Sequence, residues 1–243
     1  NNDKESERTV NINEKIYINY INQRLNFFES FKNNRWKNLS KINKIEDPIF
    51  LIGFPRSGTT LLDTILRTSK FVEVIEEKPI LRNFLIQIEK KTKNNFNLLA
   101  DLDHEYIKKM RDMYFHERNK YLKNKNSQII IDKLPLNIIH VGEILRFFPN
   151  AKFILALRHP YDSILSCFMQ QFSLNPAMKN FLNIEKSAYL YDLVMSLWTI
   201  YLKVFSINFH VIKYEDVVSN FEKTTKDIYK YLNIDWSDKT KDF

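Results

Sequence analysis

The residues from Pro48 to Arg67, P-I-F-L-I-G-F-P-R-S-G-T-T-L-L-D-T-I-L-R, constrain the fold more than any other part of the chain. Ile49 to Ile52 form a short apolar run of the kind that makes a buried parallel strand, and Thr60 to Arg67 carry leucine and isoleucine at helical spacing. Between them, Gly53 and Gly58 are separated by four residues. The whole chain has only 3 glycines, so two in one loop mark a backbone requirement at that place. Strand, glycine-bearing loop and helix together describe a turn whose N–H groups cradle phosphate oxygens at a helix N-terminus. The same residues also allow a simple strand-to-helix turn with no ligand.

The loop departs from G-x-x-x-x-G-K-[ST] at an informative position. Thr59 stands where a nucleotide hydrolase has its phosphate-binding lysine, and Thr60 stands where the magnesium-binding hydroxyl would be. Without that lysine, γ-phosphoryl transfer loses a main source of charge neutralisation. Arg56 supplies a planar cationic fork suited to an anion. The loop therefore fits a phosphate-bearing nucleotide that is not hydrolysed as ATP. A P-loop kinase or hydrolase and a non-catalytic nucleotide-binding module are the rival readings.

At 243 residues, 44% of them hydrophobic, the chain suits one large α/β domain with a smaller helical part. The formal charge of +8 favours an anionic partner. Its lysines are spread among asparagines and form no block, which argues against nucleic acid. Cys167 is the only cysteine, so an intrachain disulfide is impossible and a small buried thiol is expected. No segment is apolar for the length of a membrane span; even Tyr189 to Phe205 includes Asp192 and Lys203. A cytoplasmic location is expected. The chain begins at Asn1 without signal-like regions, as an excised domain would.

Taken in order, residues 1–47 read as a polar helical lead-in, with Ile16, Tyr20, Leu25, Phe28 and Phe31 at loosely helical intervals, and residues 48–243 as the main domain. Phe71 to Ile75 reads as a second strand, followed by Glu76 and Glu77, with Pro79 starting a helix through Ile88. Strand ends are where doubly wound sheets put their chemistry. Glu77 also suits a helix-start carboxylate favoured by the macrodipole, and Glu76 reads as a solvated neighbour. Leu98 to Asn126 reads as a charged helix; its His104 and His116 lack metal-ligand spacing, and no metal is expected. Gln128 to Ile131 is a third strand with Lys133 just past it, followed by a helix from Leu136 to Phe148. Lys152 to Leu157 is a fourth, followed by Arg158 and a helix from Pro160 that carries Ser166. That spacing puts a guanidinium at the strand end and a hydroxyl about two turns into the helix, able to converge on one anion. Glu185 to Phe205 is an amphipathic helix whose stripe includes Tyr191, Trp198 and Leu202. Phe209 to Lys213 is a fifth strand, followed by Tyr214 and Glu215, and Asn220 to Leu232 is the last helix. The expected fold is a P-loop-type three-layer α/β domain with five mostly parallel strands between helices.

G-F-P-R-S-G-T-T-L-L, the Arg158-to-Ser166 pair and the Tyr214-Glu215 turn resemble the sulfotransferases that use 3′-phosphoadenosine-5′-phosphosulfate (PAPS). Over roughly Pro48 to Asp238 the pattern is most similar to the tyrosylprotein and bacterial tetratricopeptide-linked members. The resemblance implies transfer of a sulfuryl group from PAPS to an acceptor hydroxyl on protein tyrosine, carbohydrate or a small molecule, leaving 3′,5′-adenosine bisphosphate (PAP). It implies Glu77 as general base, and Arg56 and Lys133 as stabilisers of the departing phosphate oxygen. Arg56, Ser57, Gly58, Thr59 and Thr60 would hold the 5′-phosphosulfate, Arg158 and Ser166 the 3′-phosphate, and Tyr214 the adenine. Small-molecule members carry a histidine base in a comparable Leu-Pro turn, which this chain lacks. Gln170 stands where the tyrosylprotein enzymes have an additional basic residue. Relatives usually continue into a basic, glycine-containing segment that closes over the nucleotide, which this chain, ending at Phe243, is expected to lack.

Overall fold

The computed structural model describes residues 12–31, 36, 46–124 and 127–242. Five parallel strands form one sheet: β1 Ile49–Gly53, β2 Val72–Glu76, β3 Ile129–Lys133, β4 Lys152–Leu157 and β5 Asn208–Lys213. Their order is β2-β3-β1-β4-β5. The chain leaves β1 toward β2 on one side and later places β4 on the other side. The point where the direction reverses lies between the C-terminal ends of β1 and β4, which is where open α/β sheets bind ligands.

Every residue of β1 is buried, because its two faces feed two cores. Phe50 and Ile52 point into the larger one, and Ile49 and Leu51 into the smaller. A strand covered on both faces has no polar side to present, which is why it reads as a continuous apolar run. The helices that cover the larger face include α1 Lys15–Glu29, α3 Ile80–Thr92, α4 His104–Asn119, α5 Val141–Phe147 and α7 Ile184–Val204. On the other face lie α2 Thr59–Arg67 and α9 Phe221–Leu232. Helix α6 Pro160–Met169 follows β4, and the short α8 Tyr214–Ser219 follows β5 directly. The three-layer α/β architecture expected from the sequence is the one observed.

Two helix boundaries and the buried face of one helix differ from the sequence reading. The segment from Leu98 begins as a 3-10 turn, Phe96–Leu99, and the α-helix starts only at His104, where the Asp103 carboxylate caps the Tyr106 N–H at 2.7 Å. Asn126, its expected end, lies outside the described residues, as do residues 1–11, 32–35 and 37–45 of the lead-in. The segment from Leu136 opens as a 3-10 helix, Pro135–His140, before α5. In α7 the buried face is Leu190, Leu193, Leu197 and Tyr201, with Leu202 turned outward.

The lead-in helix is part of the larger core. Phe28 is fully buried, and Arg24 makes a buried ion pair at 2.5 Å with Glu143 of α5. Gly142 permits this docking, since a β-carbon there would lie 2.2 Å from the Phe28 ring. Gly142→Ala is expected to destabilise the fold by about 1–3 kcal/mol through overpacking, measured as a lower midpoint of denaturant unfolding. An unchanged midpoint would show that α1 does not pack there in solution.

Candidate active site

The loop after β1 is shaped by two close approaches. A β-carbon on Gly53 would meet the Ala156 carbonyl oxygen of β4 at 2.5 Å and the Ser57 hydroxyl at 2.7 Å. Gly58 has φ 95°, and a β-carbon there would come within 2.8 Å of the Tyr214 ring. Arg56 also takes a left-handed conformation, with φ 67°. These two positive-φ residues fold Ser57 inward, where it is buried and its N–H donates to the Phe54 carbonyl at 3.2 Å. Helix α2 then starts at Thr59, and its first N–H groups have no intrahelical acceptor. The free amides and dipole of this helix N-terminus, with the Arg56 guanidinium in the same loop, are the ingredients of an anion site.

The turn after β4 meets this loop. The Arg56 Nε donates to the Ser166 hydroxyl at 3.0 Å. The Arg158 guanidinium lies 4.6 Å from the centre of the Tyr214 ring, and Tyr214 is the residue that Gly58 abuts. Glu215 fixes the turn by accepting the His159 N–H at 2.8 Å, a contact that holds its carboxyl below the usual range. Cys167, buried as expected, donates its thiol to the Pro55 carbonyl at 3.3 Å, and burial pushes it up to about 12. Arg56, Ser57, Gly58, Thr59, Arg158, Ser166 and Tyr214 therefore belong to one connected surface, with Thr60 on the exposed side of the first helical turn. Ser166 contacts Arg56, so the two expected anion sites share a border.

Among the described residues, three buried polar atoms on the β1 loop, the β4 turn and α6 have no hydrogen-bond partner: the Ser57 Oγ, the Ser163 Oγ and the Arg158 Nε, the last facing the Asp162 carboxylate at 3.8 Å. Unpaired groups of this kind cost stability unless a ligand or water satisfies them. Their chemistry, two hydroxyls and a guanidinium beside a helix N-terminus, fits the phosphates of a nucleotide. Ser163 was not singled out from the sequence, although it lies three residues before Ser166 and so faces the same way on the helix.

The ends of β2 and β3 supply the second half of the site. Lys133 has no exposed surface, and its ammonium donates to Glu76 at 2.8 Å and to Glu77 at 3.2 Å. Glu76 is half exposed yet makes the shorter contact, and the Lys133 hydrogen bond holds its carboxyl below the ordinary value. It is therefore more than a solvated neighbour. Sequence alone gave no sign of this, because it depends on β2 pairing with β3 so that Glu76 stands opposite Lys133.

Behind Lys133, Asp132 points the other way into the larger core. It accepts from the Tyr114 hydroxyl at 2.9 Å, and burial pushes its carboxyl up to about 7. A folded-state value above the ordinary one means that the native state binds the proton more tightly, so this residue's contribution to stability falls as pH rises. Native protein is expected to lose stability relative to Asp132→Asn as pH rises from 3.8 to about 7, measured by denaturant midpoints across that range. A constant difference would show that Asp132 titrates normally.

The architecture is that of a P-loop-like α/β domain, with the β1 loop and the β4 turn meeting at its topological switch point. Residues 48–238 match the model of the sulfotransferase family, and the chain belongs to that family. An uncharacterised protein of Aquifex aeolicus (strain VF5) is 26% identical over 204 residues, covering 81% of this chain. The match spans 26% of that relative, so this chain corresponds to about a quarter of its length. Two solved structures share the fold. The sulfotransferase domain from the curacin biosynthetic pathway has a TM-score of 0.55 at 18% identity, covering 82% of this chain and 77% of its own. The sulfotransferase domain from the Synechococcus PCC 7002 olefin synthase has a TM-score of 0.51 at 20% identity, covering 84% and 79%. Among the described residues, no helix is long and apolar enough to cross a membrane.

Proposed function

We propose that this protein transfers a sulfuryl group from PAPS to an acceptor hydroxyl. The observation that carries the reading is the junction of the β1 loop with the β4 turn, where Arg56 meets Ser166 and Gly58 meets Tyr214 beneath Arg158. One adenosine nucleotide with phosphate groups at both ends suits such a pair of adjoining cradles. The unpaired Ser57 and Ser163 hydroxyls support it.

In this reading Arg56 and the amides from Ser57 to Thr60 hold the 5′-phosphosulfate, and Arg158 with Ser166 holds the 3′-phosphate. Tyr214, half-buried against Gly58, offers a ring face to the adenine. PAPS when bound supplies an activated sulfuryl group on a phosphate leaving group. The chain's own part is to orient the acceptor, take its proton and stabilise the charge left behind. Glu77 takes the proton. Its carboxylate is half exposed beside Lys133, at the edge where an acceptor can enter. A carboxylate is a weak base at neutral pH, so correct positioning must supply much of its effect. Arg56, and Lys133 once its contact with Glu77 opens, would counter the charge on the leaving oxygen; removing one such donor typically costs about 2.7–4 kcal/mol.

The absence of a lysine at Thr59 disfavours a kinase or hydrolase. Magnesium-dependent ATP turnover would revive that reading. The acceptor hydroxyl belongs to a protein tyrosine, a carbohydrate or a small molecule, with the residues 48–243 acting as the catalytic unit and those before them as a lead-in.

The test is transfer of radiolabelled sulfate from PAPS to a panel containing a tyrosine peptide, a saccharide and a simple phenol. Native protein is expected to label at least one class. Glu77→Gln is expected to lower kcat by roughly 10²- to 10⁴-fold, the usual contribution of a general base. No transfer to any class, with PAP still raising the melting temperature, would mean a nucleotide-binding module without this activity.

A further inference from the structure

Lys133 is an ammonium with no exposed surface, and such a charge needs fixed partners. Two of its N–H groups reach Glu76 and Glu77, and the third has no acceptor among the described residues. Glu76 and Glu77 are adjacent, and in an unbroken strand adjacent side chains point to opposite faces. Both nevertheless reach one lysine.

Backbone geometry explains how. Glu76 is the last residue of β2 and stands in register with Lys133 across the parallel ladder, so the two side chains share a face. Glu77 leaves the strand with φ 49°, a left-handed conformation that a β-carbon disfavours. Its N–H still donates to the Lys133 carbonyl at 2.8 Å, which anchors the residue while the side chain swings back toward the ammonium. The relaxed partner makes the 2.8 Å contact and the strained partner the 3.2 Å contact.

Resting on the sulfuryl-transfer reading, we propose that Glu76 is a positioning residue: it holds Lys133 in place so that the Lys133–Glu77 contact can open for reaction. In the step, the acceptor oxygen forms a bond to sulfur as the bond from sulfur to the donor's 5′-phosphate oxygen breaks. The hydroxyl proton passes to Glu77, and the electron pair of the broken bond stays on the phosphate oxygen, where the ammonium counters it. Lys133 keeps a carboxylate partner throughout because Glu76 remains bound. Without Glu76, Lys133 would have Glu77 as its one carboxylate and would keep it from the acceptor's proton. The lowered Glu76 carboxyl agrees with a group committed to a cation.

The experiment compares Glu76→Gln, Glu76→Asp and Glu77→Gln, each in the native and the Lys133→Met background. Thermal unfolding is read alongside kcat and KM for PAPS. Glu76→Gln is expected to lower the melting temperature by about 2–4 °C in the native background and far less with Lys133→Met. Glu77→Gln should show the smaller coupling to Lys133. In turnover, Glu76→Gln should lower kcat by roughly tenfold or more while KM for PAPS stays within about twofold, and Glu76→Asp should restore most of the loss. Equal melting shifts in the two backgrounds, a larger coupling for Glu77, or an unchanged kcat in Glu76→Gln would each overturn the proposal. Failure of native protein to use PAPS would count against the sulfuryl-transfer reading, and the unfolding comparison would still decide whether Glu76 holds Lys133.

Discussion

The close passage of β1 against β4 is the constraint on which the rest of the site depends. Gly53 lies so near the Ala156 carbonyl that a β-carbon would stand 2.5 Å from it. That contact sits at the topological switch point of the sheet, where the β1 loop and the β4 turn must leave in adjoining directions. Parallel neighbours are about 4.8 Å apart, so residues just beyond the two strand ends are brought together by the ladder itself. Arg56 reaching Ser166 and Tyr214 packing on Gly58 follow from this placement. The loop's two positive-φ residues, Arg56 and Gly58, then turn its polar groups toward the gap.

Charge is distributed across the sheet's C-terminal edge with equal consistency. Arg56 and Arg158 lie at the ends of β1 and β4, where a nucleotide's phosphates would be neutralised. Lys133, Glu76 and Glu77 lie on the opposite side of β1, at the ends of β3 and β2. Each strand end is held by an independent device: Glu215 on the His159 amide, Cys167 on the Pro55 carbonyl, and the Glu77 amide on Lys133. Active-site precision in such a design comes from backbone contacts, and the side chains that would do chemistry stay free to exchange partners.

Much of this was legible in the sequence. The five strands stand in the sequence as short runs rich in β-branched and aromatic residues; β1, covered on both faces, is apolar throughout, while the edge strands β2 and β5 carry polar residues as well. Gly58, Arg158 and Tyr214 could be picked out because each stands directly at a strand-to-helix junction. What escaped was anything that depends on register or on local caps. Glu76 looked solvated because its partner is 57 residues away and is chosen by the β2–β3 pairing. The start of α4 was misread because Asp103 caps the Tyr106 amide in the middle of a helical-looking pattern. The outward turn of Leu202 reflects which face of α7 the sheet meets, a tertiary choice that periodicity alone leaves open.

The central claim is that one nucleotide spans the turns after β1 and β4. Titration calorimetry of native protein and Arg158→Ala with 3′,5′-adenosine bisphosphate and with adenosine 5′-phosphate tests it directly. The account predicts that native protein prefers the bisphosphate by roughly 10- to 100-fold, the worth of charge-assisted hydrogen bonds to one phosphate, and that Arg158→Ala loses the preference while still binding both ligands. Equal affinity of native protein for the two ligands would contradict it.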